Sequence, residues 1–117
     1  MLSFAGSLKI YVAIEPCDMR KSFYGLYALA AEKLKADPKS GAIFVFCNKR
    51  RNRLKILYFD GSGLWVMAKR LEEGTFSWPP PSKTGQVKLK LAPEAFAMLT
   101  DGIDMRDGCR RGWYEDD

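Results

Sequence analysis

Three patterns along the chain predict an α+β fold. Leu8, Ile10, Val12 and Ile14 alternate with Lys9, Tyr11 and Ala13, the period of a half-buried strand. Met19, Phe23, Leu26, Tyr27, Ala30 and Leu34 follow at spacings of three and four, as on one face of a helix. Short aromatic and β-branched segments separated by polar loops then occupy residues 43–68. The predicted architecture is an N-terminal strand and an amphipathic helix packed on an antiparallel β-meander, closed by a short C-terminal helix. It forms one domain over residues 1–106, followed by a polar, flexible tail over 107–117.

Each element has its own signals. Pro16 stops the first strand, and Asp18 stands where an N-cap belongs, its carboxylate able to accept from the amides of a first turn. The helix should run for about 17 residues and close at the turn Asp37-Pro38-Lys39-Ser40-Gly41. Ile43-Phe44-Val45-Phe46 is the next strand. The polar stretch Asn48–Arg53 separates it from Leu54–Phe59, and Asp60-Gly61-Ser62-Gly63 is a reverse turn leading into Leu64–Ala68. Gly74 marks a further turn, and the run Pro79-Pro80-Pro81 ends pairing. Val87, Leu89 and Leu91 alternate with Lys88 and Lys90 as a late edge strand. Pro93 then opens a short helix through Phe96 and Leu99 that ends at Gly102, with Ala92 a poor cap.

Composition excludes much chemistry. The 117 residues contain no histidine, which removes a Ser-His-Asp triad, a Cys-His dyad and any imidazole base. Cys17, Cys47 and Cys109 are far apart and unpaired in spacing, so the chain alone cannot supply a four-ligand zinc site and reads as reduced thiols of a cytoplasmic protein. No apolar run is long enough for a membrane span, and Met1–Leu8 lacks the grammar of a signal peptide. The 19 Lys+Arg against 14 Asp+Glu give a net charge of +5, which favours an acidic partner, nucleic acid first.

The densest cationic signal is Lys49, Arg50, Arg51 and Arg53, with Lys55 just beyond. At the tip of a hairpin these side chains can donate to phosphate oxygens, the guanidiniums in a fork geometry. A solvated loop kept soluble by its charges is the plainer alternative. Arg20 and Lys21, in the predicted first turn, oppose the helix dipole, a cost that a bound phosphate would relieve. Pairing of Arg20 with Asp18 explains the same residues without a ligand. Most of the aromatics belong in the core, while Trp78, Pro79 and Pro80 form a candidate docking segment for a protein partner. Asp18, with Asp37-Pro38-Lys39, superficially echoes a metal-dependent nuclease, but the second element should lie on a strand and here falls in a turn. Ser62 lacks a histidine and a nucleophile-elbow setting. No catalytic residue, metal site or cofactor is expected.

Three motifs in order carry a family resemblance. The first is Pro16-Cys17-Asp18-Met19-Arg20-Lys21-Ser22-Phe23-Tyr24-Gly25-Leu26. The second runs from Phe44-Val45-Phe46 through the basic loop, Leu54-Lys55-Ile56-Leu57 and Asp60-Gly61-Ser62-Gly63 to Lys69-Arg70-Leu71-Glu72, Gly74, Phe76 and Trp78-Pro79. The third is Leu99 with Gly102-Ile103-Asp104. Over about Ile10 to Asp104 the chain resembles the TnpB-type accessory protein, the second open reading frame, of bacterial insertion-sequence family sixty-six. Tyr58-Phe59 and Met105 stand where that family commonly has tryptophan, and Ser22 replaces a frequent glycine.

The resemblance implies a protein encoded beside a transposase and needed, with a second small accessory protein, for efficient movement of the element, the transposase carrying the strand-transfer chemistry. The leading expectation is thus a non-catalytic accessory factor that binds DNA at the element's ends or target through Arg20, Lys21, Lys49, Arg50, Arg51, Arg53 and Lys55. Its protein partners would be the transposase and the second accessory protein. The alternatives are an adaptor for the transposase without DNA binding of its own and, last, a metal-dependent nuclease.

Overall fold

A computed structural model describes residues 8–81 and 83–102 and the backbone of 114–115. The first strand is β1 (Ile10–Ala13), followed by α1 (Phe23–Ala28) and its π-helical continuation Leu29–Lys33. The sheet continues with β2 (Ile43–Cys47), β3 (Arg53–Phe59), β4 (Leu64–Arg70) and β5 (Lys88–Leu91), then α2 (Pro93–Thr100) and the two-residue β6 (Tyr114–Glu115). The six strands form one sheet in the order β4-β3-β2-β1-β5-β6. The predicted α+β class and the antiparallel meander β2-β3-β4 are both present.

The topology completes one part of the prediction and corrects another. The N-terminal strand packs on the meander by joining its edge, parallel to β2 with Ile10 beside Ile43 and Val12 beside Val45. The helical segment is therefore the crossover of a parallel βαβ unit. The late strand is not an edge, because β5 lies between β1 and β6. Its pairing with Tyr114–Glu115 also places part of the expected loose tail in the sheet, while 103–113 lie outside the described residues.

Helices cover both faces. Ile10, Val12, Ile43, Val45, Leu54 and Ile56 pack with Ala95 and Leu99 of α2. Ala13, Phe44, Phe46 and Leu57 pack with Leu26, Ala30 and Leu34 on the other side. This double cover explains why β2 is buried at every position and why its sequence is an unbroken apolar run. It also explains why β1, read as half-buried, has little exposed surface.

The helical segment is shorter than its periodicity predicts. It starts after Ser22, not at Asp18, and the Asp18 carboxylate instead accepts from the Arg20 amide at 2.9 Å in a separate turn. Leu26, Ala30 and Leu34 repeat every four residues, a spacing that drifts around a 3.6-residue helix. The bond from the Leu34 amide to the Leu29 carbonyl, five residues back at 3.0 Å, widens the turn and keeps all three against the sheet. At α2 the sequence reading holds, with Pro93 in the first turn, Ala92 capping without a side-chain bond and Gly102 at φ 79°.

Candidate nucleic-acid interface

The basic stretch occupies the hairpin between β2 and β3, and two asparagines build its loop. Asn48 Oδ1 accepts from the amides of Asn52 and Arg53, both at 3.1 Å, and Asn48 Nδ2 donates to Asn52 Oδ1 at 2.7 Å. Asn48 and Arg53 also close the hairpin through their backbones at 3.1 Å. The clamp leaves Lys49 and Arg50 exposed at the tip.

Arg51 does something different from its neighbours. Its backbone is left-handed at φ 60°, and its half-buried side chain turns inward. Nη1 donates to Cys47 Sγ at 2.6 Å, and the guanidinium lies 5.5 Å from the centre of the Trp78 ring. Trp78 donates from Nε1 to the Ala13 carbonyl at 2.8 Å, and Pro79 is buried, leaving only Pro80 of the expected docking segment exposed. The structure thus gives Arg51, Trp78 and Pro79 positions inside the fold in place of the surface contacts read from the sequence.

The remaining cations gather at a groove beside the hairpin. Arg53 opens β3 and stands directly opposite Arg70 at the end of β4. Lys55, two residues on, is opposite Ala68, so all three long side chains share the face that carries α1. The groove, about 330 Å³, is lined by Met19, Arg53, Lys55, Ala68 and Arg70 together with Leu54 and Lys69, and no carboxylate is among these described residues. Lys55 Nζ donates to the Lys21 carbonyl at 2.7 Å, which ties the segment before α1 to this edge of the sheet. Lys69 leaves for the opposite face, donating to the Thr100 carbonyl at 2.7 Å with Asp101 at 3.9 Å.

Arg20 and Lys21 precede the helix, so they do not sit in its first turn as predicted. Arg20 is paired with Asp18, Nη2 to Oδ2 at 2.6 Å and Nε to Oδ2 at 2.9 Å. Those bonds hold the Asp18 carboxyl down at about 2. The exposed pair leaves little net charge at that point. Lys21 is exposed next to Lys55 and has no ion pair among the described residues.

Two cations of the groove, Lys69 and Arg70, were not singled out as binding candidates by the sequence reading, and of these Arg70 shares the α1 face with Arg53 and Lys55. Its partner Arg53 is seventeen positions earlier, and only the register of the β3–β4 hairpin brings them together. Counting outward from the Asp60–Gly63 turn would have paired them. Like charges directly opposite in a sheet destabilise it, by a few tenths of a kcal/mol up to about 1. Asp18 and Asp37, the carboxylates of the nuclease alternative, lie on opposite ends of the helical segment, the first on Arg20 and the second accepting from the Lys39 amide at 2.9 Å. No cluster of three metal-ligating side chains occurs among the described residues, and no described helix is long and apolar enough to cross a membrane.

Fold and groove together define a small α/β/α layered domain whose distinctive surface is cationic. Residues 8–110 match the family described as IS66 Orf2 like protein, and the chain belongs to that family, the accessory open reading frame of an insertion sequence. It is similar to two proteins of Sinorhizobium fredii (strain NBRC 101917 / NGR234). To "Uncharacterized protein y4jC" it is 44% identical over 104 residues, covering 89% of this chain and 86% of that one. To "Uncharacterized protein y4hO" it is 34% identical over 106 residues, covering 91% and 90%. No solved structure matches significantly.

Proposed function

We propose that this accessory protein of transposition is non-catalytic and binds DNA, the groove of Arg53, Lys55 and Arg70 taking backbone phosphates and Lys49, Arg50 and Lys21 extending the contact. The observation that carries this reading is the Arg53–Arg70 pair, two arginines at directly opposed positions of the β3–β4 ladder, with no carboxylate among the described residues lining the groove. A phosphate between them would convert a repulsion into two charge-assisted, fork-shaped hydrogen bonds. Contacts of this kind grip the backbone and carry little sequence information, so specificity would come from the transposase or from a second copy.

The test is anisotropy of a labelled duplex from the element's terminal inverted repeat, beside a scrambled duplex, across a salt series. Wild type should bind with log K falling linearly in log salt, by about 0.9 per phosphate contacted. Arg53→Gln/Arg70→Gln should flatten that slope by about 1.8. Absence of binding by wild type at low salt would sink the reading. The function would then rest on protein contacts, for which Phe23, Tyr24 and Trp65, 49%, 89% and 41% exposed, are the exposed large apolar side chains among the described residues.

A further inference from the structure

A second cavity, about 550 Å³, opens at the far end of the helical segment. Lys9, Lys35 and Lys88 reach it, with Tyr11 on its floor, and Asp37 and Gly41 in its wall. Among the described residues its balance is three ammonium groups to one carboxylate. Lys9 and Lys35 are exposed and in no ion pair among the described residues.

Two of the lysines are placed in ways that packing alone does not call for. Lys35 follows the last helical turn with φ 55°, the left-handed position where glycine is favoured and a long side chain is strained. Lys88 crosses from β5, donating from Nζ to the Leu34 carbonyl at 2.9 Å with its ammonium 5.6 Å from the centre of the Tyr11 ring. That bond caps the carbonyl end of the helical segment and offsets the partial negative charge that would otherwise repel an anion there. Lys9 and Tyr11 alternate onto the α1 face of the sheet, the face that carries Arg53, Lys55 and Arg70.

We infer that this cavity is a second phosphodiester-binding site, in which Lys9 and Lys35 contact phosphate oxygens while Lys88 fixes the helix end, and that one nucleic acid spans both it and the groove. This rests on the DNA-binding reading above and extends its footprint. The helical segment between Ser22 and Leu34 separates the two sites by roughly 20 Å, at 1.5 Å per residue. About six phosphates of one B-form strand, 3.4 Å apart along the axis, cover that distance.

The experiment is anisotropy of a fluorescein-labelled duplex over a salt series, with thermal melts of the same samples. It compares wild type with Lys9→Gln/Lys35→Gln, Lys35→Gly and Arg53→Gln/Arg70→Gln. The cavity double variant should bind roughly tenfold weaker at 0.1 M salt, with a slope shallower by about 1.8. Lys35→Gly separates ligand from fold. Glycine relieves the backbone, so its Tm should rise by about 2–4 °C while its binding weakens and its slope shallows by about 0.9. Unchanged slopes in both cavity variants, with binding lost in the groove variant, would overturn the second site and leave the groove standing. Failure of wild type to bind at low salt would overturn both.

Discussion

The guanidinium of Arg51 and the indole of Trp78 lie 5.5 Å apart across the join between the basic hairpin and the segment leading to the prolines. With the Nη1 bond to Cys47 Sγ at 2.6 Å and the Trp78 bond to the Ala13 carbonyl at 2.8 Å, this contact locks the hairpin to the end of β1. Arg51→Ala should cost about 2 kcal/mol, the sum of a hydrogen bond to a charged donor and a partly desolvated cation–π contact. Lys49→Gln/Arg50→Gln should leave stability within about 0.5 kcal/mol and weaken only DNA binding. Urea melts of the two variants separate the roles, and equal losses from both would contradict the assignment of Arg51 to the fold.

Arg53 and Arg70 oppose each other, so the groove is electrostatically unsatisfied. Arg70→Gln should raise stability by a few tenths of a kcal/mol at low salt, with the gain disappearing at high salt. Chemical denaturation at the two ionic strengths reads this directly. A loss above about 1 kcal/mol would mean that Arg70 has an internal role.

Gly25 sits inside α1, where alanine is normally preferred by about 1 kcal/mol. A Cβ there would come 3.0 Å from Lys21 Cβ, and the Lys21 carbonyl is held by Lys55 Nζ. Gly25→Ala should therefore fail to deliver the helical gain, changing stability by less than about 0.5 kcal/mol. A thermal melt showing the full gain would mean that Lys21 moves aside freely.

The Asp60 carboxylate accepts from Trp65 Nε1 at 2.8 Å, the Ser62 amide at 2.8 Å, the Ser62 hydroxyl at 2.9 Å and the Gly63 amide at 3.0 Å. These bonds hold its carboxyl well below the usual carboxylate range, and Arg20 holds Asp18 down at about 2. Both pKa values are depressed by folding, so their stabilisation is complete above about pH 4 and fades as pH falls through about 2. Asp60→Ala should be less stable at neutral pH and show a weaker pH dependence of the urea midpoint between pH 4 and about 2. An unchanged acid profile would count against the turn as the source.

Burial pushes the Cys47 thiol up to about 11 and raises Cys17 as well, against the opposing pull of Arg51 and Lys21. In a Cys109→Ser background at pH 8, Cys47 should resist a thiol reagent until the protein unfolds, and Cys17 should react more slowly than a free thiol. Because folding favours the protonated Cys47, its contribution to stability should be lost as pH rises from 9 towards 11. Rapid labelling of native Cys47 would contradict its burial.

What the sequence made legible was local. The β2–β3–β4 meander follows from apolar runs and the Asp60-Gly61-Ser62-Gly63 turn, and α2 follows from Pro93 and Gly102. The parallel pairing of Ile10 with Ile43 was not legible, because alternation reports which way side chains point and not which strand lies alongside. Asp18 satisfies every rule for an N-cap, yet the neighbouring Arg20 competes for its carboxylate. Within the run from Lys49 to Arg53 nothing in composition distinguishes Arg51, whose inward turn depends on Trp78, twenty-seven residues later. Arg70 was hidden for the same reason, its significance lying in a partner across the hairpin.

The position of β1 has a consequence for how the chain is made. Ile10–Ala13 leaves the ribosome before the other strands, yet it is a central strand, bonded to β2 on one side and β5 on the other. The hairpins of β2, β3 and β4 can zip by local contacts, whereas β1 must wait for β2 across the helical crossover and then for residues 88–91. Until residues 88–91 appear, β1 is the open apolar edge of the nascent sheet, which makes that state prone to aggregation. Strand β5 thus covers β1 late in assembly, with β6 still to follow, and a chain truncated before Lys88 would leave that edge open permanently.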